Sequence, residues 1–257
     1  MWRVDRLLRE TARAEVRHFW FRGFRYFVTP LLRQATAGRS GVTLLDCGCG
    51  TGNNLELLSR FGRAYGFDLT AVGLRIGRDA GRTRLALASV TDVPFPSNAF
   101  DVVTSFDVLY ALHEPQERAA VAEMYRVTRP GGYVIINVAA MNILRGDHSI
   151  LGGEVQRYSR DRLGEVLRNA GFVVERITYT NAVLFLPILA VRAAQRWRGL
   201  KAAGESIGDF HVPPAPLNSA LAGALRVESW WLRVLDNPFG SSLLCLARKP
   251  GAASAAR

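Results

Sequence analysis

From residue 43 to residue 138 short apolar runs alternate with amphipathic stretches, a rhythm that leaves few ways to fold. Residues 43–47 (TLLDC) make a buried-strand pattern that stops at a glycine cluster, and 53–60 follow with Leu55, Leu57 and Leu58 at helical spacing. Residues 64–68 predict the next strand, with Thr70 as the cap of a helix over 71–79. Residues 84–88 and 101–105 read as the third and fourth strands. Pro115 suits the first turn of a helix carrying Val121, Met124 and Tyr125; Pro130-Gly131-Gly132 ends it with a turn, and 133–138 predict a fifth strand. Ser159 then caps a helix whose apolar face holds Leu163, Val166, Leu167 and Ala170, closed by Gly171. Residues 172–180 and 242–248 are the sixth and last strand candidates. Strands linked through helices need crossover connections, so the expectation is an α/β fold, a doubly wound sheet of about seven strands, mostly parallel.

Between the sixth and last strands lie residues 181–240, far more than a crossover needs. They hold two helix-like pieces, about 182–198 and 216–234, and a proline-rich loop from His211 to Pro216. The chain therefore divides into an N-terminal helical segment over 1–40, an α/β core over 41–180, a helical insertion over 181–240, a final strand over 241–249 and a small-residue tail over 250–257 expected to be disordered. Half the residues are hydrophobic and a fifth charged, a globular balance in a chain long enough to bury a full core. Three cysteines make no disulfide framework and point to a reducing, cytoplasmic setting. Arginines at 3, 6, 9, 13 and 17 break up any secretory signal, and the longest apolar run, 182–191, is too short to span a bilayer.

The most informative stretch is Leu44-Leu45-Asp46-Cys47-Gly48-Cys49-Gly50-Thr51-Gly52, a strand running into a loop with glycine at every second position and a helix opening after it. Glycines let a ligand press against backbone N–H groups, and the helix N-terminus adds partial positive charge. Asp68 ends the next strand, where a carboxylate can accept both hydroxyls of a ribose. The pattern implies an adenosine-type ligand across the strand ends. Its spacing, G-x-G-x-G from Gly48, departs from the dinucleotide fingerprint G-x-G-x-x-G, and no phosphate-gripping P-loop is present.

With these residues in place the sequence resembles the class I S-adenosylmethionine-dependent methyltransferases, in particular the small-molecule subgroup that includes quinone-biosynthesis enzymes. The first motif of that family is close to residues 44–54, and further matches are YGFDLT at 65–70, VTDVPFP at 90–96, FDVVTSFDVLYAL at 100–112 and EMYRVTRPGGYVIINV at 123–138. The resemblance implies a Rossmann-like sheet with an antiparallel last strand, and S-adenosylmethionine as cofactor. It implies that Asp46, Gly48, Gly50 and Gly52 surround the methionine part, with Cys49 and Asn53 also at the cofactor, that Asp68 holds the ribose with Leu69 beside the adenine, and that Phe106 and Asp107 floor the sulfonium. Ser89 stands where relatives often carry an Asp facing the adenine amine, leaving Val90 to supply a backbone N–H. Tyr110-Ala111 replace the Glu-His that often follows the fourth strand.

Methyl transfer is an in-line displacement in which the protein aligns the nucleophile and excludes water, helped by a base where the acceptor is a hydroxyl or ammonium. His113 and His148 are the candidate bases, both in loops after strand ends, and Trp20, Tyr110 and Tyr158 are candidates to orient the acceptor. No metal-ligand spacing is present. The expected function is methylation of an O, N or C nucleophile on a small molecule of the lipid-like or secondary-metabolite kind; the alternatives are a nucleic-acid methyltransferase and a cofactor-binding scaffold without catalysis. The net charge of +11 sits in the flanks, +6 in 1–40 and +6 in 141–257 against −1 in 41–140, and 31 of the 33 basic residues are Arg. No nucleic-acid module accompanies it, so nucleic acid is disfavoured as a partner. Residues 15–27 interleave aromatics with arginines and read as a lid helix, an interfacial helix on anionic lipid, or a stacking surface. The apolar run 182–191 followed by Arg192, Arg196 and Arg198 adds to the case for peripheral membrane contact. Nothing in the sequence specifies an oligomeric state.

Overall fold

The computed structural model describes residues 8–9, 11–200 and 212–251, the side chains of His148 and Leu151 excepted. Apart from Pro250 and Gly251, the expected tail lies outside the described residues, as does His211. Seven strands form one sheet: β1 (Thr43–Cys47), β2 (Arg63–Asp68), β3 (Leu85–Leu87), β4 (Phe100–Phe106), β5 (Thr128–Ala139), β6 (Val173–Thr180) and β7 (Ser242–Arg248). Their order is β3-β2-β1-β4-β5-β7-β6. All pairs from β3 to β5 are parallel, and β7 runs antiparallel between β5 and β6, as the sequence implied. The order reverses direction between β1 and β4, so the crevice beyond their carboxyl ends is where a ligand binds in such sheets.

Alternation along the strands feeds two cores. One face carries Leu45, Val103, Ile136 and Cys245, covered by α4 (Glu114–Val127) through Val121 and Met124 and by α6 (Arg160–Asn169) through Leu163 and Leu167. The other carries Leu44, Val102, Ile135 and Leu246, covered by α1 (Phe19–Thr36), α2 (Asn53–Leu58) and α8 (Ala215–Trp231). The buried positions of α1, Phe27, Val28, Leu31, Leu32 and Ala35, recur every three or four residues, which is why it lies along the sheet. α1 and α8 meet closely: a Cβ on Gly23 would stand 2.2 Å from Leu225 Cδ1. Asn218 joins them again, accepting from the Phe19 amide at 2.8 Å and donating to the Arg17 carbonyl at 2.9 Å.

Two expectations change. Pro130-Gly131-Gly132 is no turn between helix and strand: the helix stops at Val127 and β5 begins at Thr128, so the tripeptide bulges within the strand. Gly131, at φ 76°, makes that bulge possible, and its amide bonds the Lys249 carbonyl at 2.9 Å. Thr70 occupies the N-cap of α3 (Ala71–Asp79), but its hydroxyl is drawn to Asp68 instead of the helix amides. The remaining helices are α5 (Asp147–Leu151) and α7 (Phe185–Trp197), the second with no buried residue.

Candidate functional site

At the carboxyl end of β1 the chain enters the glycine loop over Asp46. That carboxylate is buried; its Oδ1 accepts from the Thr104 hydroxyl at 2.7 Å, and its Oδ2 has no partner. Gly48, Gly50 and Gly52 all have positive φ, between 58° and 77°. A Cβ on Gly48 would come within 2.4 Å of Val108 Cγ2, so the loops after β1 and β4 close on each other only because that residue is glycine. The amides of this loop are less available than the spacing suggested. Those of Gly48 and Cys49 both donate to the Phe67 carbonyl at 2.9 Å, and that of Gly52 to Cys49 at 2.8 Å. The loop therefore offers a shaped cradle with an orphaned carboxylate oxygen beneath it.

Burial pushes the Asp46 carboxyl up from 3.8 to about 7, opposed by the Thr104 bond and reinforced by the nearby Asp68 charge. A raised native pKa means the folded protein holds a proton that the unfolded chain has released. This contribution is complete below the unfolded value and disappears as pH rises through about 7. The cofactor-free protein should accordingly melt at a lower temperature near pH 8 than near pH 6, and Asp46→Asn should flatten that slope. Thermal melts of both proteins across that window test this, and parallel slopes would exclude Asp46 as the titrating group.

At the end of β2, Asp68 accepts from the Gly50 amide at 2.7 Å and the Thr70 amide at 2.8 Å, so one carboxylate fixes both the glycine loop and the start of α3. Leu69 beside it is 73% exposed, an apolar side chain presented outward at a strand end. Val90 is half-buried against the core, and the Ser89 hydroxyl is turned into its own loop, where it lies 2.7 Å from Thr91 Oγ1.

At the end of β4, Phe106 packs edge-on to Phe24 of α1, their ring centroids 4.8 Å apart. Asp107 follows at φ 60°, a conformation few non-glycine residues adopt without compensation. Here the compensation comes from Asn137 of β5, whose carbonyl accepts from the Asp107 amide and whose Nδ2 donates to Oδ1, both at 2.9 Å. No described residue bonds the other oxygen. Asp107 follows β4 at the recess formed by the carboxyl ends of β1 and β4; it is solvent-exposed, while desolvation by neighbouring protein pushes its carboxyl up to about 7. Glu154 pushes in the same direction, while Asn137 and Arg157 oppose it.

Tyr110 lies close to Asp107; its carbonyl accepts from the Val155 and Gln156 amides at 2.9 and 3.1 Å, stitching the loop after β4 to the one after β5. Tyr158 does not face an acceptor: it is fully buried, and its hydroxyl donates to Glu117, which Arg162 also holds at 2.8 Å. The cause is its pairing with the β5 end, where Ala140 and Tyr158 form a β-bridge that carries the ring into the core. His113 is the exposed N-cap residue of α4, its amide bonded to Gln116 at 3.4 Å. His148 lies in α5, and its side chain is outside the described residues. Trp20 is half-buried in the first turn of α1, stacked edgewise on Phe19.

Sequence reasoning missed the brace behind the loop. Glu15, buried, accepts from the Thr51 hydroxyl at 2.9 Å and pairs with Arg82 at 3.2 Å, and Arg82 also donates to the Thr51 carbonyl at 3.0 Å. Asn53, expected near the ligand, instead accepts from Arg25 at 3.0 Å and Arg82 at 3.3 Å. Leu8 approaches the loop as well, 3.2 Å from where a Cβ on Gly50 would stand. The only signal was Glu15 in an otherwise basic and aromatic segment. Among the described residues no three His, Cys, Asp or Glu side chains are grouped as a metal site, and Cys47, Cys49 and Cys245 are buried thiols with pKa values raised by burial.

A doubly wound sheet whose last strand in sequence, β7, runs antiparallel between β5 and β6, an acidic residue before a G-x-G-x-G loop and a second acid closing the next strand agree with the resemblance to the class I S-adenosylmethionine-dependent methyltransferases. Residues 45–136 match the family described as "Methyltransferase domain". The chain is 39% identical over 112 residues to a malonyl-[acyl-carrier protein] O-methyltransferase of Serratia marcescens, a match covering 41% of each chain. It is 29% identical over 183 residues to a demethylmenaquinone methyltransferase of Geobacillus kaustophilus, covering 56% of this chain and 77% of that one. The match thus spans less than half the length of the Serratia relative. The solved [4+2]-cyclase SpnF shares the fold at a TM-score of 0.57 and 24% identity, covering 88% of this chain and 80% of that one. A cyclase on this scaffold is a reminder that the fold alone carries no reaction. The residues present fit the cofactor: the orphaned Asp46 oxygen lies under the loop, and Asp68 stands at the adjoining strand end.

Proposed function

We propose that this protein transfers a methyl group from S-adenosylmethionine to a small-molecule acceptor, and that the acceptor enters over Asp107. The observation that carries the reading is the buried, unpartnered Asp46 Oδ2 beneath the glycine cradle at the sheet's reversal point. Asp46 would receive the methionyl ammonium and Asp68 the ribose hydroxyls. Leu69 and Val90 would border the adenine, and Phe106 and Asp107 would lie below the sulfonium. The cofactor supplies a carbon already activated for displacement. Everything else falls to the chain: Leu8 and Glu15 hold the loop closed against water, Tyr110 borders the acceptor space, and the free oxygen of Asp107 takes the proton released by a hydroxyl or ammonium acceptor. In this assignment Asp107, not His113, is the base, because its carboxylate faces the recess whereas His113 caps an exposed helix.

The acceptor class is an extension of the same reading. The two relatives are named for malonyl-[acyl-carrier protein] and demethylmenaquinone, and an apolar ring acceptor of the quinone kind suits the space beside Tyr110. Calorimetric titration with S-adenosylmethionine, S-adenosylhomocysteine and NAD tests the cofactor half. Micromolar binding of the first two and none of the third is expected. Binding of NAD alone would make the protein a dehydrogenase, and heat from none of the three would remove the reading of residues 46–52.

A further inference from the structure

Helix α7 leaves much of its apolar surface exposed, although Ile188 packs against the core. Several of its polar residues bond near the loop after β5: Arg192 and the Asp147 amide both donate to Gln195 Oε1, at 2.9 and 3.2 Å, and Arg196 donates to the Arg145 carbonyl at 3.0 Å. Arg198 pairs with Asp147 at 2.6 Å. The exposed positions include apolar ones, with Leu186 72% and Trp197 92% exposed and Val191 and the alanines at 190, 193 and 194 between them. A helix normally presents its apolar stripe to the core, and among the described residues this face has no partner.

The patch extends beyond the helix. Phe185 contacts Phe239, with centroids 5.1 Å apart, which joins α7 to the segment after α8 where Val234 is 83% and Leu235 69% exposed. Glu228 anchors that segment by accepting from the Ala182 and Val183 amides at 3.0 and 3.1 Å. Because β6 runs parallel to β5, its end at Thr180 lies on the carboxyl edge of the sheet, so α7 starts on the same edge as the recess over Asp107.

We infer that this face docks on an anionic lipid bilayer. Charge selects that occupant. Residues 181–200 contain three arginines and no carboxylate, Arg145 and Arg196 are exposed and bond to carbonyls instead of acids, and Arg226 and Arg233 are exposed beside the second patch. Exposed leucine and tryptophan within a guanidinium rim match an acyl layer bordered by anionic headgroups. A second copy of the chain would set the same positive rim against itself. Among the described residues no helix is long and apolar enough to cross a membrane, so the contact is peripheral.

The test uses the full chain and vesicles, and it is independent of methyl transfer. Protein is sedimented with vesicles of phosphatidylcholine alone and of phosphatidylcholine containing about one-third phosphatidylglycerol, at low and high salt, with tryptophan emission followed. Binding to the anionic vesicles, a blue shift, and weakening with salt are expected, as screening requires. The double variant Leu186→Ser/Trp197→Ser should partition at least about tenfold more weakly, and so should Val234→Ser/Leu235→Ser, with unchanged melting because all four side chains are exposed. Absence of binding to anionic vesicles, or binding that both variants keep, would overturn the inference. So would a wild-type dimer in sedimentation velocity that either variant dissociates, which would make a second copy the occupant.

Discussion

Asp68→Ala should lower the affinity for S-adenosylmethionine by about 100-fold or more while leaving the protein folded. In the proposed site the carboxylate accepts two ribose hydroxyls, and hydrogen bonds to a charged group are worth about 1.5–3 kcal/mol each. Two such bonds lie near or above the 2.7 kcal/mol or so that separates binding constants a hundredfold apart. The same side chain ties Gly50 and Thr70 to the end of β2, so the variant also frees the cradle to move. Stability should fall only modestly, because Asp68 is half-buried at the edge of the sheet. Asp68→Asn separates the two contributions: it keeps the size and an acceptor oxygen, and its loss should fall between wild type and alanine. Calorimetry gives the affinities and a thermal melt confirms folding. An alanine variant that binds within about threefold of wild type would put the ribose somewhere other than β2.

How much of this could be read in advance follows from which interactions are local. The strand ends were legible because buried parallel strands are apolar runs that stop abruptly at polar or glycine residues, so Asp46, Asp68 and Asp107 announce themselves by position. The Pro-Gly-Gly bulge was misjudged for the opposite reason: the tripeptide is turn-forming in isolation, and only the pairing of Thr128 with Phe100 draws it into β5. The brace of Glu15, Arg82, Arg25 and Asn53 joins four separate parts of the chain, and no spacing within any one of them reports it. Tyr158 looked available because it lies in a loop; its partner Glu117 is 41 residues away in sequence and fixes it inward. Helix α8 was expected as a helix at about 216–234, but its packing against α1 was not, since that depends on the close approach that Gly23 allows to Leu225.

Asp107→Asn should cut turnover by about 100-fold or more if the acceptor is a hydroxyl or an ammonium, the usual range for losing a positioned base. Asparagine preserves the volume and the contact with Asn137, and because the carboxylate lies below the sulfonium, turnover is compared at saturating S-adenosylmethionine, where the loss should appear in kcat. The pH dependence gives the sharper test. The carboxyl is raised to about 7 in the folded protein, and only its ionised form accepts a proton. Wild-type rates should therefore climb as pH rises through about 7 and then level off. The asparagine variant should lack that ascending limb, while His113→Ala should retain it, because His113 caps an exposed helix. A limb that disappears in His113→Ala and survives in Asp107→Asn would reverse the assignment. A slow asparagine variant that keeps the limb would assign Asp107 to acceptor orientation and leave proton removal to another group. The strained φ at Asp107 gives a physical reason to expect the first outcome: the Asn137 contacts that hold the conformation also aim the carboxylate across the recess.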